Sequence, residues 1–129
     1  MQKLEHVAIQ VADARAMADW YGKQLNMAVV RSGPPPRNMT FLADASGRTC
    51  FELYERDDTP LPDYASMNPF ILHMAFTTDD IEADRSRLID AGATEVAPID
   101  DTDAGDRLAM LRDPWGLSLQ LVQRKEAMP

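Results

Sequence analysis

The sequence predicts an α+β fold made of two copies of a strand-helix-three-strand module. Residues 4–11 read LEHVAIQV and residues 71–78 read ILHMAFTT, so two similar apolar segments, each with one histidine, open the two halves. A helical pattern follows each segment, and three short strand patterns follow each helix. The chain of 129 residues is long enough for one ordinary domain with its own hydrophobic core.

The first predicted strand of each module, at residues 4–11 and 70–77, alternates apolar and other residues with the two-residue period of a β-strand. The two histidines of the chain, His6 and His73, occupy equivalent positions in these strands and face away from the apolar rows. The rows predicted to face the core are Val7, Ile9 and Val11 in the first strand and Leu72, Met74 and Phe76 in the second.

A helix is predicted after each of these strands. Asp13 is a suitable N-cap for the first helix, whose apolar residues recur at helical spacing until the chain reaches Asn26. The second helix is predicted to begin at Thr78 or Asp79 and to end at Gly92.

Three short strands are predicted after each helix. The last of each set follows a similar turn, Asp44–Gly47 in the first module and Asp113–Gly116 in the second, with Asp and Gly at positions that favour tight turns. The predicted strands span roughly 27–32, 38–43 and 49–55 in the first module and 94–99, 107–112 and 117–123 in the second.

These patterns predict a single domain over residues 1–129. Its first module covers about residues 3–56 and its second about residues 70–124. Residues 57–69 show neither helical nor strand periodicity, which is typical of a linker.

Composition narrows the possible partners. The chain is 45% hydrophobic, has no apolar run near the roughly 20 residues that span a bilayer, and has a net charge of −8, which disfavours nucleic acid and membrane surfaces. Cys50 is the one cysteine and the N-terminal residues do not resemble a secretory signal, so a cytoplasmic protein is expected. A small-molecule ligand is the remaining class of partner.

The same strand periodicity brings four polar side chains to one side of the predicted sheets. Glu52 and Gln120 lie at equivalent positions of the last strand of each module and, like His6 and His73, face away from the helices. Imidazole nitrogens with carboxylate or amide oxygens are ligands for a divalent metal ion such as Zn, Ni, Fe, Mn or Co. If the four groups do not converge, the same face would be a metal-free binding surface.

Several motifs of the chain resemble those of the vicinal oxygen chelate superfamily, which includes glyoxalase I, methylmalonyl-CoA epimerase, extradiol dioxygenases and bleomycin-resistance proteins. The resemblance covers residues 3–124. It is carried by LEHVAIQVAD with the following WYGKQLNM, by CFELYE, by ILHMAFTTDDI, by LIDAGA and by LRDPWGLSLQLVQ.

The resemblance implies a cupped half-barrel of mixed sheet with the helices outside. It also implies a homodimer, in which one cavity can be built within one chain or from two chains. The glyoxalase-like members usually have Glu at the position of Gln120, so this residue departs from their pattern. The metal ligands that the resemblance implies are His6, Glu52, His73 and Gln120.

Three functions follow from this set of residues. The first is a glyoxalase-like lyase, isomerase or epimerase in which the metal binds vicinal oxygens of the substrate and Glu52 transfers a proton. The second is a non-haem iron dioxygenase, because His6, His73 and Glu52 form a set of two histidines and one carboxylate. The third is a metal-free protein that binds a small molecule or an antibiotic.

Overall fold

The computed structural model describes residues 1–48 and 50–129, with only the backbone of Cys50 described. The chain divides into two compact units, residues 1–62 and 63–129, and the boundary falls inside the predicted linker. Among the described residues, no helix is both long enough and apolar enough to cross a membrane.

The first unit has one helix and an open, four-stranded mixed sheet. Its first and fourth strands are parallel neighbours, and the third and second strands follow in antiparallel pairing. The start of the last strand was predicted at Thr49, which lies outside the described residues. The elements are β1 (Val7–Gln10), α1 (Ala14–Leu25), β2 (Ala28–Ser32), β3 (Thr40–Ala43) and β4 (Cys50–Tyr54).

The second unit repeats this plan with a five-stranded mixed sheet. Its first and last strands are again parallel neighbours, so the predicted α+β class with two repeated modules is confirmed. A single turn of 3-10 helix, Tyr64–Ser66, lies in the predicted linker. The elements are β5 (Met74–Thr77), α2 (Ile81–Asp90), β6 (Thr94–Glu95), β7 (Asp100–Asp101), β8 (Arg107–Arg112) and β9 (Ser118–Gln123).

The parallel strand pairs of the two units have the same register. Ala8 of β1 lies opposite Glu52 of β4, and Ala75 of β5 lies opposite Gln120 of β9. Opposite residues share a face of the sheet, and so do residues two apart along a strand. The register therefore places each histidine, two residues before the alanine, on the same face as the Glu or Gln of its own unit.

The helices cover the other face of each sheet. The buried residues of α1, which recur at helical spacing, are Ala14, Met17, Ala18 and Tyr21, and the helix contacts β2, β3 and β4. Asp13 caps α1 as predicted, because its side chain accepts a hydrogen bond from the Ala16 amide.

The predicted apolar rows are buried only in part. Ile9, Val11 and Met74 are buried, but Val7 is 42% exposed and Leu72 is 40% exposed. Val7 is the first residue of an edge strand and Leu72 precedes one, so neither is enclosed by strands on both sides.

The start of α2 differs from the prediction. The N-cap is Asp80, whose side chain accepts a hydrogen bond from the Ala83 amide, and not Thr78 or Asp79. The helix begins later because Thr78 still continues the strand, with its amide donating to the carbonyl of Val122.

The strand predicted at 94–99 is also wrong in extent. Within that range the strand is limited to β6, Thr94–Glu95; β7 begins just after it, at Asp100, and both β6 and β7 pair with β8. Pro98 lies between them and has no backbone amide to donate to a neighbouring strand, which explains the interruption.

The corrected cap of α2 can be tested with two adjacent acidic residues. We expect Asp80→Ala to lower the free energy of unfolding by about 1 kcal/mol, because the Ala83 amide loses its acceptor. Asp79→Ala, which removes the same charge one residue earlier, should have a smaller effect. Urea denaturation of both variants at moderate salt measures the difference, and an equal or larger loss in Asp79→Ala would contradict the assignment.

Candidate metal and ligand-binding site

In the first unit, the His6 ring and the Glu52 carboxylate meet on the face of the sheet opposite α1. Nε2 of His6 lies 3.1 Å from Oε2 of Glu52. The side chains are 30% and 20% exposed, respectively, so the pair is partly shielded but remains open to solvent. This contact brings together two of the four predicted ligands.

The second nitrogen of the His6 ring is also next to a carboxylate. Nδ1 forms a hydrogen bond of 3.0 Å with Oε1 of Glu5, whose side chain is largely in solvent. In the neutral tautomer whose Nδ1–H donates to Glu5, the lone pair is on Nε2. In that tautomer a second proton or a metal ion between Nε2 and Oε2 would offset the repulsion between the lone pair and the carboxylate oxygen, whereas in the other neutral tautomer Nε2–H donates to Glu52.

The separation of these two atoms fits a shared metal ion. Zinc lies about 2.0–2.2 Å from imidazole nitrogen and carboxylate oxygen. Two donors about 2.1 Å from one ion are about 3.0 Å apart at a right angle and about 3.4 Å apart at the tetrahedral angle. The observed 3.1 Å between Nε2 and Oε2 lies within this range.

An aromatic side chain forms the next part of this face. Phe41 of β3 lies opposite Glu52, and its ring contacts the His6 ring edge to face, with centroids 5.2 Å apart and planes at 88°. This contact restricts the orientation of the imidazole. Phe41 could not be selected from the sequence, because strand periodicity alone does not show which residue of a neighbouring strand lies opposite Glu52.

In the second unit, His73 is held through its Nδ1. This nitrogen lies 2.8 Å from the carbonyl oxygen of Pro69, which can only accept a hydrogen bond. Nδ1 is therefore the protonated nitrogen of the neutral ring, and Nε2 carries the lone pair. Metal-binding histidines are commonly oriented by such a bond from the other ring nitrogen to a backbone carbonyl.

Gln120 shares a face of the second sheet with His73. It is flanked by Ala75 of β5 and Met110 of β8. Among the described residues no hydrogen bond joins Gln120 to His73, whose Nδ1 is bonded to the carbonyl of Pro69. The described residues of each unit, taken separately, contain no group of three or more His, Cys, Asp or Glu side chains that could hold a metal ion.

A cavity of about 410 Å³ lies in the first unit at the end of β1. Gln10, which is on the same face as His6, donates a 2.9 Å hydrogen bond to the carbonyl of Thr59 and so fixes one wall. Hydrogen bonds from Arg56 lower the pKa of Asp58 to about 2, so this pair stays charged at neutral pH. The lining residues are Gln10, Val11, Ala12, Pro36, Arg37, Glu55, Arg56, Asp57, Asp58 and Leu61.

Comparison with protein families identifies the chain. The family model of the glyoxalase/bleomycin resistance protein/dioxygenase superfamily matches residues 3–121. The chain belongs to this superfamily. Members of the superfamily commonly bind divalent metals. No match was found among curated proteins.

Several solved structures have the same fold as this chain. A glyoxalase family protein from Bacillus cereus aligns with a TM-score of 0.80 at 16% identity, covering 95% of this chain and 94% of that one. TnmS3, an antibiotic-binding protein from Streptomyces sp. CB03234, aligns with a TM-score of 0.72 at 23% identity, covering 97% and 98%. A glyoxalase family protein from Enterococcus faecalis aligns with a TM-score of 0.68 at 27% identity, covering 95% and 98%.

The tautomer of His73 can be tested directly. It matters because a metal ion would bind the ring nitrogen that carries the lone pair. At about pH 9, where imidazole is neutral, we expect His73 to carry its proton on Nδ1, because Pro69 offers only an acceptor. Long-range proton–nitrogen NMR distinguishes the two tautomers. The chain has two histidines, so the spectrum of His6→Gln shows which signals belong to His73. A proton on Nε2 of His73 would contradict the contact between its Nδ1 and Pro69.

Proposed function

We propose that this chain is a metal-dependent enzyme that binds a small oxygenated molecule and moves one of its protons, as a glyoxalase-like lyase, isomerase or epimerase. The observation that carries the proposal is the 3.1 Å approach of His6 Nε2 to Glu52 Oε2. An imidazole nitrogen and a carboxylate oxygen are both ligands of divalent cations, and at this distance they are close enough to bind the same ion.

The proposed ligand set joins this pair to the equivalent residues of the second unit, within one chain or across a dimer. His73 supports the set because its Nδ1 bond to Pro69 leaves Nε2 as a donor. A bound divalent ion would polarise vicinal oxygens of the substrate and lower the energy of an oxyanion. The residues proposed to bind Zn, Ni, Fe, Mn or Co are His6, Glu52, His73 and Gln120.

Glu52 is the proposed proton carrier. Gln120 has an amide, which is not a base, whereas Glu52 has a carboxylate with one oxygen beside His6. Its other oxygen, Oε1, has no hydrogen-bond partner among the described residues, and it can accept a proton from the substrate.

Dioxygenase chemistry is the alternative that uses the same residues. His6, His73 and Glu52 make the two-histidine, one-carboxylate set of many non-haem iron oxygenases. The two reactions differ in what they consume: oxygen uptake that depends on iron favours a dioxygenase. Exchange of a substrate C–H with deuterated water, without oxygen, favours proton transfer.

Antibiotic or other small-molecule binding without metal is the second candidate function. It is favoured by the similarity to the antibiotic-binding protein TnmS3 over 97% of this chain. The net charge of −8 is compatible with a basic ligand. This function requires neither His6 nor Glu52 as a ligand.

A homodimer in the cytoplasm is part of the proposal. The second unit exposes three consecutive large apolar residues, Phe70 at 85%, Ile71 at 73% and Leu72 at 40%. Contiguous apolar surface of this kind marks contact sites between proteins. A second copy of the chain is the proposed partner.

The metal proposal predicts close to one divalent ion per chain after reconstitution. We expect His6→Ala and Glu52→Gln each to weaken zinc or nickel binding by at least about tenfold, because each removes a donor from the cation. His73→Ala and Gln120→Ala should also weaken it. Elemental analysis and calorimetry of protein purified without chelator measure the effect.

Asp57→Asn is the matched control, since Asp57 is an exposed carboxylate of the first unit that does not contact His6 or Glu52. Its metal content should equal that of the wild type. A wild-type content below about a tenth of a metal per chain, after reconstitution with several divalent ions, would refute metal dependence. Retained ligand binding in His6→Ala would then favour the antibiotic-binding function.

The proposed dimer predicts a mass near twice the chain mass of 14.4 kDa in light scattering after size exclusion. We expect Phe70→Asp with Ile71→Asp to shift the protein toward the monomer, because charged side chains would have to be buried in the interface. Met128→Asp alters another exposed apolar residue, 73% exposed, and should not change the mass. An unchanged mass in the double variant would exclude this surface as the interface.

A further inference from the structure

Arg31 lies on the same face of the first sheet as His6 and Glu52, the two proposed metal ligands of the first unit. Arg31 of β2 is opposite Phe41 of β3, and Phe41 is opposite Glu52 of β4. These three residues therefore form a row across the sheet on the face away from α1. Neighbouring strands are about 4.8 Å apart, so the backbone of Arg31 lies about 10 Å from that of Glu52.

A β-bulge is responsible for the orientation of Arg31. Val29 pairs with Leu42, whereas Arg31 pairs with Phe41, so one extra residue is inserted between the two pairs. Val29 lines a cavity beside α1, on the helix side of the sheet. Without the bulge, Arg31 would share that side, since residues two apart in a regular strand face the same way.

Arg31 has no hydrogen bond or ion pair with any described residue. By contrast, Arg56 binds Asp58, and Arg107 binds Asp101 and Glu82. Glu52, the acidic residue in the same row, contacts His6 instead. The guanidinium of Arg31 is therefore available to a ligand.

The net charge of the first unit is compatible with an anionic ligand. Residues 1–62 contain seven basic and eight acidic side chains, a net charge of −1, whereas residues 63–129 contain six and thirteen, a net charge of −7. The acidity of the chain is thus concentrated in the second unit. The unit that carries Arg31 is almost neutral, so it opposes an anionic ligand only weakly.

We propose that Arg31 binds a carboxylate of the ligand whose vicinal oxygens are held at His6 and Glu52. This inference rests on the proposed function and names its substrate class: small carboxylic acids in which an apolar portion separates the carboxylate from the chelating oxygens. The guanidinium fork matches a carboxylate in two parallel hydrogen bonds, and Phe41 forms an apolar floor between the two polar ends. A single guanidinium suits a singly charged carboxylate better than a phosphate dianion.

Two probes that differ by one carboxylate test the inference. Catechol and 3,4-dihydroxybenzoate both have vicinal oxygens, and calorimetry on the full chain, with and without zinc, gives the ratio of their affinities. We expect the wild type to prefer 3,4-dihydroxybenzoate by about tenfold or more, as a charge-assisted contact implies. Arg31→Gln should reduce the ratio to about one and leave the affinity for catechol unchanged, and Arg31→Lys should restore part of it.

Arg15→Gln is the matched control, because Arg15 is an exposed arginine of α1 that also has no partner among the described residues. It should keep the wild-type ratio. A ratio near one in the wild type, an unchanged ratio in Arg31→Gln, an equal loss in Arg15→Gln, or no binding of 3,4-dihydroxybenzoate in either form would overturn the inference.

The two zinc conditions separate this inference from the proposed function. If Arg31 sets the carboxylate preference but zinc changes neither affinity, Arg31 recognises the carboxylate and the metal proposal fails. If zinc strengthens the binding of both probes and Arg31→Gln leaves their ratio unchanged, the metal proposal stands and the role of Arg31 is refuted.

Discussion

The parallel pairing of the first and last strands within each unit is the constraint on which the candidate site depends. Parallel neighbours need a long crossover connection, which here contains the helix and the remaining strands of the unit. The register then decides which side chains share a face. A slip of one residue in β4 would turn Glu52 toward α1 and away from His6, so the contact at 3.1 Å exists only in the observed register.

The two units keep this geometry but differ in its chemistry. The ring in each unit has Nδ1 next to an oxygen, Glu5 for His6 and Pro69 for His73, so both present Nε2. The residue at the equivalent strand position is a carboxylate in one unit, Glu52, and an amide in the other, Gln120. The first unit can therefore supply negative charge and a base, whereas the second supplies neutral donors.

Properties that depend on neighbouring residues along the chain could be predicted from the sequence. Strand periodicity was sufficient to put His6 and Glu52 on the face away from the helix, and the Asp13 cap is a local feature as well. The start of α2 was missed because Thr78 is held by a hydrogen bond to Val122, a residue far along the chain. Hydrogen bonds between strands that are far apart in the chain leave no periodic signal in a single sequence.

Two residues of the candidate site, Phe41 and Arg31, were also missed because their positions depend on contacts between distant segments. Phe41 was not selected because its place opposite Glu52 follows from strand register, and register is set by pairing between distant segments. Arg31 was harder still, since strict alternation puts it on the side of Val29 and only the bulge turns it to the other face. The four proposed ligands could be found because the repeat supplied each position twice.

Gln120 and Arg31 both make the charge of the proposed site more positive. In the proposed ligand set a divalent cation is offset by one carboxylate, so the centre keeps a net charge of about +1, where a second carboxylate would bring it to about zero. A centre of this kind binds anionic oxygens more strongly, although it holds the metal less tightly. With the guanidinium of Arg31 nearby, the face of the first unit becomes positive within a chain whose acidity lies in the second unit. A neutral amide at position 120, where a carboxylate could stand, is thus consistent with an anionic ligand. The negative charge that the protein lacks at the proposed centre would be supplied by the bound ligand.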